Sequence, residues 1–274
     1  MDAGRVLVDG EPGGRVAALD RGLAFGDGVF RTLRVSGGRP LNWSRHYERL
    51  RADCALLALD APPEALLLGE LSRVAPAEAV AKIIVTRGAG GRGYSLPSGI
   101  ATTRIVAAFD PPLHPRERAT EGVTARRCAW VLSQQRRLAG AKTLNRLENV
   151  LARAEWDDPE IAEGLLGDAG GRVIEGTMSN LFVVKAGVAT TPSLDRCGVA
   201  GAQRARVIDL LTTRGVRTEV RDLSWDEVAD ADEVFLTNSL IGVWPVTALE
   251  DVRYAVGAIA RMAQRAIEED DAAV

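Results

Sequence analysis

Lysine is scarce in this chain. Of its 34 basic residues only three are lysines, Lys82, Lys142 and Lys185, so arginine carries the surface charge and each lysine asks for a reason. The three cysteines, Cys54, Cys128 and Cys197, are odd in number and widely spaced, which argues against a disulfide framework and for reduced thiols in a cytoplasmic protein. The two histidines, His46 and His114, lack metal-ligand spacing, so no metal site is expected. No GxSxG elbow occurs and neither histidine sits in a recognisable nucleophile arrangement, which disfavours a serine hydrolase. No apolar run approaches the roughly 20 residues of a membrane span. The opening MDAGRVLVDG has no basic stretch followed by an apolar one, so no secretory signal is expected. A net charge of −3 gives no global reason to expect nucleic acid or an anionic membrane as partner.

What is present describes a globular protein. With 274 residues, 46% hydrophobic and 26% charged, the chain can bury a substantial core in one large or two modest domains. Strand-like runs occur at 5–9, up to Val35, at 80–86 and at 103–109, with two helices between, one capped by Ser44 and one opened by Pro62-Pro63. Asp110-Pro-Pro-Leu-His-Pro115 suits neither helix nor strand and reads as a linker. Beyond it come a strand at 122–131, a helix at about 145–156 and two hairpins, 163–175 and 181–191. Helices at 202–213, 225–229 and 256–268 then alternate with strands at 216–220 and 233–237. The expected division is an α/β domain over 1–112, a linker at 113–119 and a second domain over 120–274. Short hairpin loops in the second domain favour a mixed or antiparallel sheet.

Lys142 stands out among the three lysines. It follows the small-residue turn Ala139-Gly140-Ala141 and precedes a helical pattern, where the positive end of a helix favours the neutral, nucleophilic amine that a Schiff base requires. A salt-bridging surface lysine is the alternative. Arg87-Gly-Ala-Gly-Gly-Arg92-Gly-Tyr94 contains a formal GxGxxG, but Tyr94-Ser-Leu-Pro97 follows where a dinucleotide site needs a helix. Its two arginines and tyrosine suit carboxylate capture, or are solvated on a surface turn. Glu175 ends a strand before Gly176-Thr-Met-Ser-Asn180, as a site acid or an exposed hairpin residue. Cys197-Gly-Val-Ala-Gly201-Ala202-Gln203 leads into a helix, as an anion site or a plain junction. Thr237-Asn238-Ser239 is either a ligand edge or a strand cap.

In this order the segments FGDGVF, HYERL, RGAGGRGY, KTLNRLENVL, EGTMSNLF, GVAGAQR and LTNSLIGVWPV resemble the fold-type IV pyridoxal-phosphate enzymes nearly end to end. That family includes branched-chain and D-amino acid aminotransferases and 4-amino-4-deoxychorismate lyases. The Lys142-Thr-Leu-Asn145-Arg146-Leu-Glu148 run and the Arg87–Tyr94 loop look most like the lyases. The D-amino acid aminotransferases look different after the lysine and carry histidine where Tyr94 stands.

The resemblance implies an α/β fold of two domains, the second with a mixed, barrel-like sheet that anchors pyridoxal 5′-phosphate. It implies Lys142 as the lysine that bonds the cofactor, Glu175 as the acid at the pyridine nitrogen, and Arg49 with the amides of Ala202 and Gln203 as phosphate ligands. Asn180 and Thr237 are implied on the cofactor side. Arg92 and Tyr94 are implied as substrate-carboxylate ligands reaching the neighbouring active site of a homodimer, with Arg87, Arg146 and Phe30 also toward substrate. Phe30 stands where aminotransferases often have tyrosine, and threonine is common where Gln203 stands. The implied reaction is conversion of 4-amino-4-deoxychorismate to 4-aminobenzoate and pyruvate, in folate biosynthesis. The alternative is amino transfer on D- or branched-chain amino acids.

Overall fold

A computed structural model describes residues 5–96 and 99–273. The opening tetrapeptide and Pro97, both used in the sequence reading, lie outside the described residues, as do Ser98 and Val274. The chain divides into two compact units, Met1–Pro112 with Ala141–Asn145, and Leu113–Gly140 with Arg146–Val274.

Among the described residues the first unit is built on a six-stranded antiparallel sheet. Its strands are β1 (Val6–Val8), β2 (Glu11–Pro12), β3 (Gly28–Ser36), β4 (Arg39–Pro40), β5 (Ala79–Thr86) and β6 (Thr103–Phe109), in the order β2-β1-β6-β5-β3-β4. On β3 the period of two places Val29, Arg31, Leu33 and Val35 inward. Helices α2 (Trp43–Leu56) and α3 (Glu64–Val74) cover that face with Leu50, Cys54, Leu67 and Leu71. Burying each leucine stabilises the unit by roughly 2 kcal/mol. Helix α2 starts at Trp43 with Asn42 as its cap residue, two positions before the Ser44 cap that the sequence suggested. Trp43 stacks on Tyr47 and donates to Glu64, which favours helix at that position. A short helix, α1 (Arg21–Phe25), precedes β3 and has no counterpart in the sequence reading. It is capped by Asp20, which accepts from the Gly22 amide, and ended by Gly26 at φ 68°.

Ala141–Asn145 packs with this first unit, whereas the sequence reading placed it wholly in the second domain. The reason is backbone pairing. Thr143 bridges Val29 on the free edge of β3, the Phe30 amide donates to the Lys142 carbonyl at 3.0 Å, and the Leu144 amide donates to Gly28 at 2.9 Å.

The second unit holds a ten-stranded mixed sheet: β7 (Val123–Leu132), β8 (Ile161–Asp168), β9 (Arg172–Gly176), β10 (Asn180–Lys185), β11 (Val188–Pro192), β12 (Thr218–Arg221), β13 (Leu223–Ser224), β14 (Glu233–Asn238), β15 (Gly242–Leu249) and β16 (Val252–Arg253). The order is β12-β11-β10-β14-β15-β7-β8-β9-β13, with β16 on β15. Three pairs are parallel, β7 with β8, β7 with β15 and β11 with β12; the hairpins β8–β9 and β10–β11 are antiparallel. Because β9 also packs against β10 and β11, the sheet curls toward closure, as a barrel-like sheet should. Its strands carry almost unbroken apolar runs, such as Leu181–Val184, since both faces are covered. Helices α6 (Ala202–Thr213) and α8 (Ala258–Ala272) bury Val207, Leu211, Ile259 and Ala263 against Phe182 and Phe235. Three shorter helices, α4 (Glu117–Thr120), α5 (Leu147–Arg153) and α7 (Trp225–Ala229), complete the unit. Among the described residues no helix is long and apolar enough to cross a membrane.

Candidate active site

In the first unit the lysine segment lies as an added strand on β3. Lys142 stands five residues ahead of Leu147, where α5 begins, within a segment that pairs with β3. Thr143 and Leu144 favour extended backbone, and the open β3 edge accepts them. The Lys142 amine sits 4.6 Å from the centre of the Phe30 ring, which also faces Lys82 at 5.1 Å. The Lys142 amide donates to Asp53 Oδ2 at 3.0 Å, and that carboxylate is ion-paired with Arg31. Arg31 and Asp53 are both buried, as is His46 on the same face of α2. Burial, then the positive charges of Arg31 and Lys142, push the His46 imidazole down to about 3, so it is neutral at ordinary pH. Arg49 is half-buried on α2, close enough to Arg31 for their charges to oppose each other.

Sequence reasoning missed Arg31 and Asp53. Both carry a signal in hindsight: Arg31 shares the inward phase of Val29 and Leu33, and Asp53 falls three residues after Leu50 on the buried stripe of α2.

The glycine loop after β5 is pinned to α1. Gly88 accepts from the Arg21 amide, the Gly90 amide donates to Leu19, and the Arg21 guanidinium donates to the Gly93 carbonyl. The described residues of 88–102 contain no helix, so the dinucleotide pattern has no structural counterpart. Arg87, read as a substrate ligand, is engaged internally. Its guanidinium donates to both Asp27 oxygens and to the carbonyls of Leu57 and Ala58. Four of its five N–H donors are thereby committed within the first unit. Burial raises the Asp27 carboxyl, but hydrogen bonds and charge from Arg87 and Arg21 outweigh that and hold it below the usual range. Arg92 and Tyr94 are exposed on the same loop, Tyr94 to 85% with its ring 5.4 Å from Phe25.

In the second unit the candidate residues gather where β9, β10 and β14 meet the start of α6. Glu175 is buried, and its Oε2 accepts from the Val199 amide at 2.8 Å and from Asn180 Nδ2 at 3.4 Å. Asn180 also donates to the Val199 carbonyl and accepts from the Gly201 amide. Its side chain therefore clamps the 199–201 turn onto β10, which gives it a positioning role beside Glu175. A Cβ at Gly201 would meet Asn180 Oδ1 at 2.3 Å, so only glycine permits that clamp. Gly140 joins the same turn, donating to Gly198 and accepting from Ala200, and its φ of 78° explains the glycine. Ala202 and Gln203 open α6, whose N-terminus takes no side-chain cap, so its first N–H groups form an anion-binding end. Thr237, opposite Asn180 across β10 and β14, donates its hydroxyl to Gly242 at 2.6 Å; that proton is already committed within the β14–β15 turn. Arg146 is half-buried with Nη1 toward Asn149, and Glu148 accepts from the Ser133 amide.

Glu163 is a further residue that the sequence reading passed over. Buried on β8, it accepts from the amides of Gly164, Thr177 and Met178 and from the hydroxyls of Thr177 and Ser179. One carboxylate thus shapes the whole 176–179 turn between Glu175 and Asn180. An acidic residue inside the apolar run of β8 was its signal. Cys54, Cys128 and Cys197 are buried free thiols, each pushed up to about 12 chiefly by burial, and Cys197 packs with Leu166 and Ile174 as a small apolar residue.

This architecture has known counterparts. The profile of the amino-transferase class IV family matches residues 28–249. Aminodeoxychorismate lyase from Vibrio harveyi is 36% identical over 264 residues, covering 94% of this chain and 97% of that protein. D-alanine aminotransferase from Listeria monocytogenes is 29% identical over 248 residues, 87% of this chain and 83% of that one. The crystal structure of 4-amino-4-deoxychorismate lyase from Pseudomonas aeruginosa aligns with a TM-score of 0.93 and 44% identity, over 97% of this chain and 98% of that one. The Escherichia coli branched-chain amino acid aminotransferase, at 23% identity and a TM-score of 0.84 over 98% and 94% of the two chains, shares the fold. With most of its length matched by the family profile and its two sheets matched by these structures, the chain belongs to the amino-transferase class IV family.

Proposed function

We propose that this protein is a pyridoxal-phosphate-dependent aminodeoxychorismate lyase, converting 4-amino-4-deoxychorismate to 4-aminobenzoate and pyruvate. The residues present fit that cofactor. Lys142 would hold its aldehyde carbon, Arg49 and the uncapped α6 amides of Ala202 and Gln203 its phosphate, and Glu175 its ring nitrogen. Bound there, pyridoxal phosphate supplies an electron sink for the carbon that bears the substrate amine.

The chain's own groups supply the rest. The Lys142 amine would take the proton from the amine-bearing carbon of the substrate. The Glu175 carboxylate, kept in place by Val199 and Asn180, holds a proton at the ring nitrogen. Loss of the enolpyruvyl group would leave the aromatic ring of 4-aminobenzoate, and return of the abstracted proton to the methylene carbon of the departing enolpyruvate would give pyruvate. Arg92 and Tyr94, exposed on their loop, are the proposed ligands of the substrate carboxylates, with Arg146 beside them in that role.

The observation that favours elimination over amino transfer is Phe30. The group facing the Lys142 amine is an apolar ring, so the hydroxyl that aminotransferases often place there is missing. The likeness to lyases at 36% and 44% identity, against 29% for an aminotransferase, leans the same way.

The protein is proposed to act as a cytoplasmic homodimer whose Arg92–Tyr94 loop reaches the neighbouring copy's site. Leu19, Leu23, Tyr94 and Leu96 of the first unit and Leu147 and Val150 of the second are exposed apolar side chains that a second copy would cover. The buried reduced thiols suit that compartment.

The deciding experiment supplies 4-amino-4-deoxychorismate without a keto acid and measures 4-aminobenzoate. Product formation is expected. No product, together with amino transfer from D-alanine or leucine to 2-oxoglutarate, would overturn the lyase reading.

A further inference from the structure

The buried charges beneath Lys142 carry an inference beyond this reaction. Beside the isolated antiparallel bridge of Thr143 and Val29, Lys142 and Phe30 stand opposite each other as a hydrogen-bonded pair, and such a pair exchanges two backbone hydrogen bonds. Lys142 makes only one of these with Phe30, accepting at its carbonyl from the Phe30 amide at 3.0 Å. Its N–H turns instead to Asp53 Oδ2, at 3.0 Å, and the same oxygen receives the Arg31 guanidinium. Arg31 and Asp53 are exposed by only 2% and 5%, so the pair lies within the interface of β3 and α2.

As a stability device this is a poor choice, because desolvating two charges offsets most of their attraction and an apolar pair of similar volume would hold the two elements as well. What an apolar pair cannot do is accept the lysine's N–H. The charges nearby are cationic: Arg49 lies close enough to Arg31 to oppose its charge, and Arg31 and Lys142 both act on His46. Phe30, the ring beside the lysine amine, is the chain neighbour of Arg31. One carboxylate therefore fixes the origin of the lysine side chain and the strand position next to the ring it faces.

We propose that Asp53 is a positioning residue for Lys142: its carboxylate fixes the backbone from which the lysine side chain extends, and Arg31 is the counter-charge that lets a carboxylate stand buried there. The proposal rests on the reading of Lys142 as the cofactor-bearing lysine.

The test compares two double variants as holoenzymes. Arg31→Met with Asp53→Leu removes both charges and the acceptor; Arg31→Met with Asp53→Asn removes both charges and keeps an acceptor for the Lys142 N–H. The leucine variant is expected to unfold at no lower a temperature than the wild type. Its visible circular dichroism from the lysine-bound cofactor should weaken, and its kcat should fall on the order of tenfold to hundredfold with KM unchanged. The asparagine variant is expected to keep the wild-type spectrum and most of kcat. Equal spectra and equal kcat for the two variants would overturn the proposal, as would wild-type values in the leucine variant. Should the leucine variant not fold, Asp53→Ala in the Arg31→Met background carries the same comparison. Borohydride reduction of the wild-type holoenzyme followed by peptide mapping keeps the two readings apart. Label on another lysine overturns the assignment of Lys142 and the proposal with it, while label on Lys142 with two equal variants overturns the proposal alone.

Discussion

The two units place their functional groups by different means. In the first, buried ion pairs do the placing: Arg31 with Asp53 beneath the lysine segment, and Arg87 and Arg21 on Asp27 beneath the glycine loop. In the second, buried carboxylates are satisfied by backbone amides and neutral side chains, as when Glu163 takes five donors and Glu175 takes the Val199 amide and Asn180. The difference follows from what each must hold. A turn such as 176–179 offers several unpaired N–H groups at once, and one carboxylate can gather them without a counter-charge. The edge strand at Lys142 and the 87–94 loop offer few, so an arginine must supply the remaining donors.

The largest expected effect falls on chemistry, where the units contribute unequally. Lys142→Ala should abolish the visible absorbance of the lysine-bound cofactor and lower turnover by at least about 10³-fold. Glu175→Gln, which keeps the acid's shape, should cost on the order of 10²-fold in kcat with the absorbance retained. Comparable losses in the two variants would erase the distinction between a lysine that moves the proton and a carboxylate that tunes the ring.

Next comes the amide-gathering carboxylate. Glu163→Ala strands several buried donors and should lower unfolding stability by about 3 kcal/mol or more in urea titrations. A loss below about 1 kcal/mol would mean that the turn holds its shape without it.

Arg87→Ala should lower stability by about 2 kcal/mol, because Asp27 and two carbonyls lose donors at once, while KM for substrate stays unchanged. A large rise in KM at unchanged stability would return Arg87 to the substrate-binding role that its sequence position suggested.

At neutral pH the smallest effect is that of His46, which shows only as a slope below pH 6.5. His46 is buried neutral with its value lowered from 6.5 to about 3, so the unfolded chain binds a proton that the folded one does not. Its contribution is therefore present above pH 6.5 and is lost as pH falls from 6.5 toward 3, by up to about 1.4 kcal/mol per pH unit. Urea midpoints measured across that range should decline, and His46→Gln should flatten the decline. Equal slopes in variant and wild type would show that His46 is not held neutral by burial in the folded protein.

Much of the molecule was legible in one dimension. Alternation along β3 and β5, helical spacing in α2 and α6, and the hairpin turns at 169–171 and 186–187 all depend on near neighbours, and all formed within a few residues of their expected bounds. The rare Lys142, the strand-end Glu175 and the glycine-led start of α6 could be singled out because scarcity and local pattern are properties of the chain itself. Less legible were α1, whose five residues are too few for a periodic signal, and the state of Arg87, whose partners lie about 30 and 60 residues away.

The sequence by itself determined the family, the candidate lysine and acid, and the glycine-led helix start proposed for phosphate, because these rest on residue identity and short-range order. Only the tertiary structure decided what surrounds them. It set Lys142 on the edge of β3, put an Arg31–Asp53 pair under its backbone, and made Glu163 and Asn180 the scaffold of the Glu175 turn. Each of these depends on which buried polar group finds which partner, and that choice is made by long-range packing and the need to satisfy every buried donor and charge.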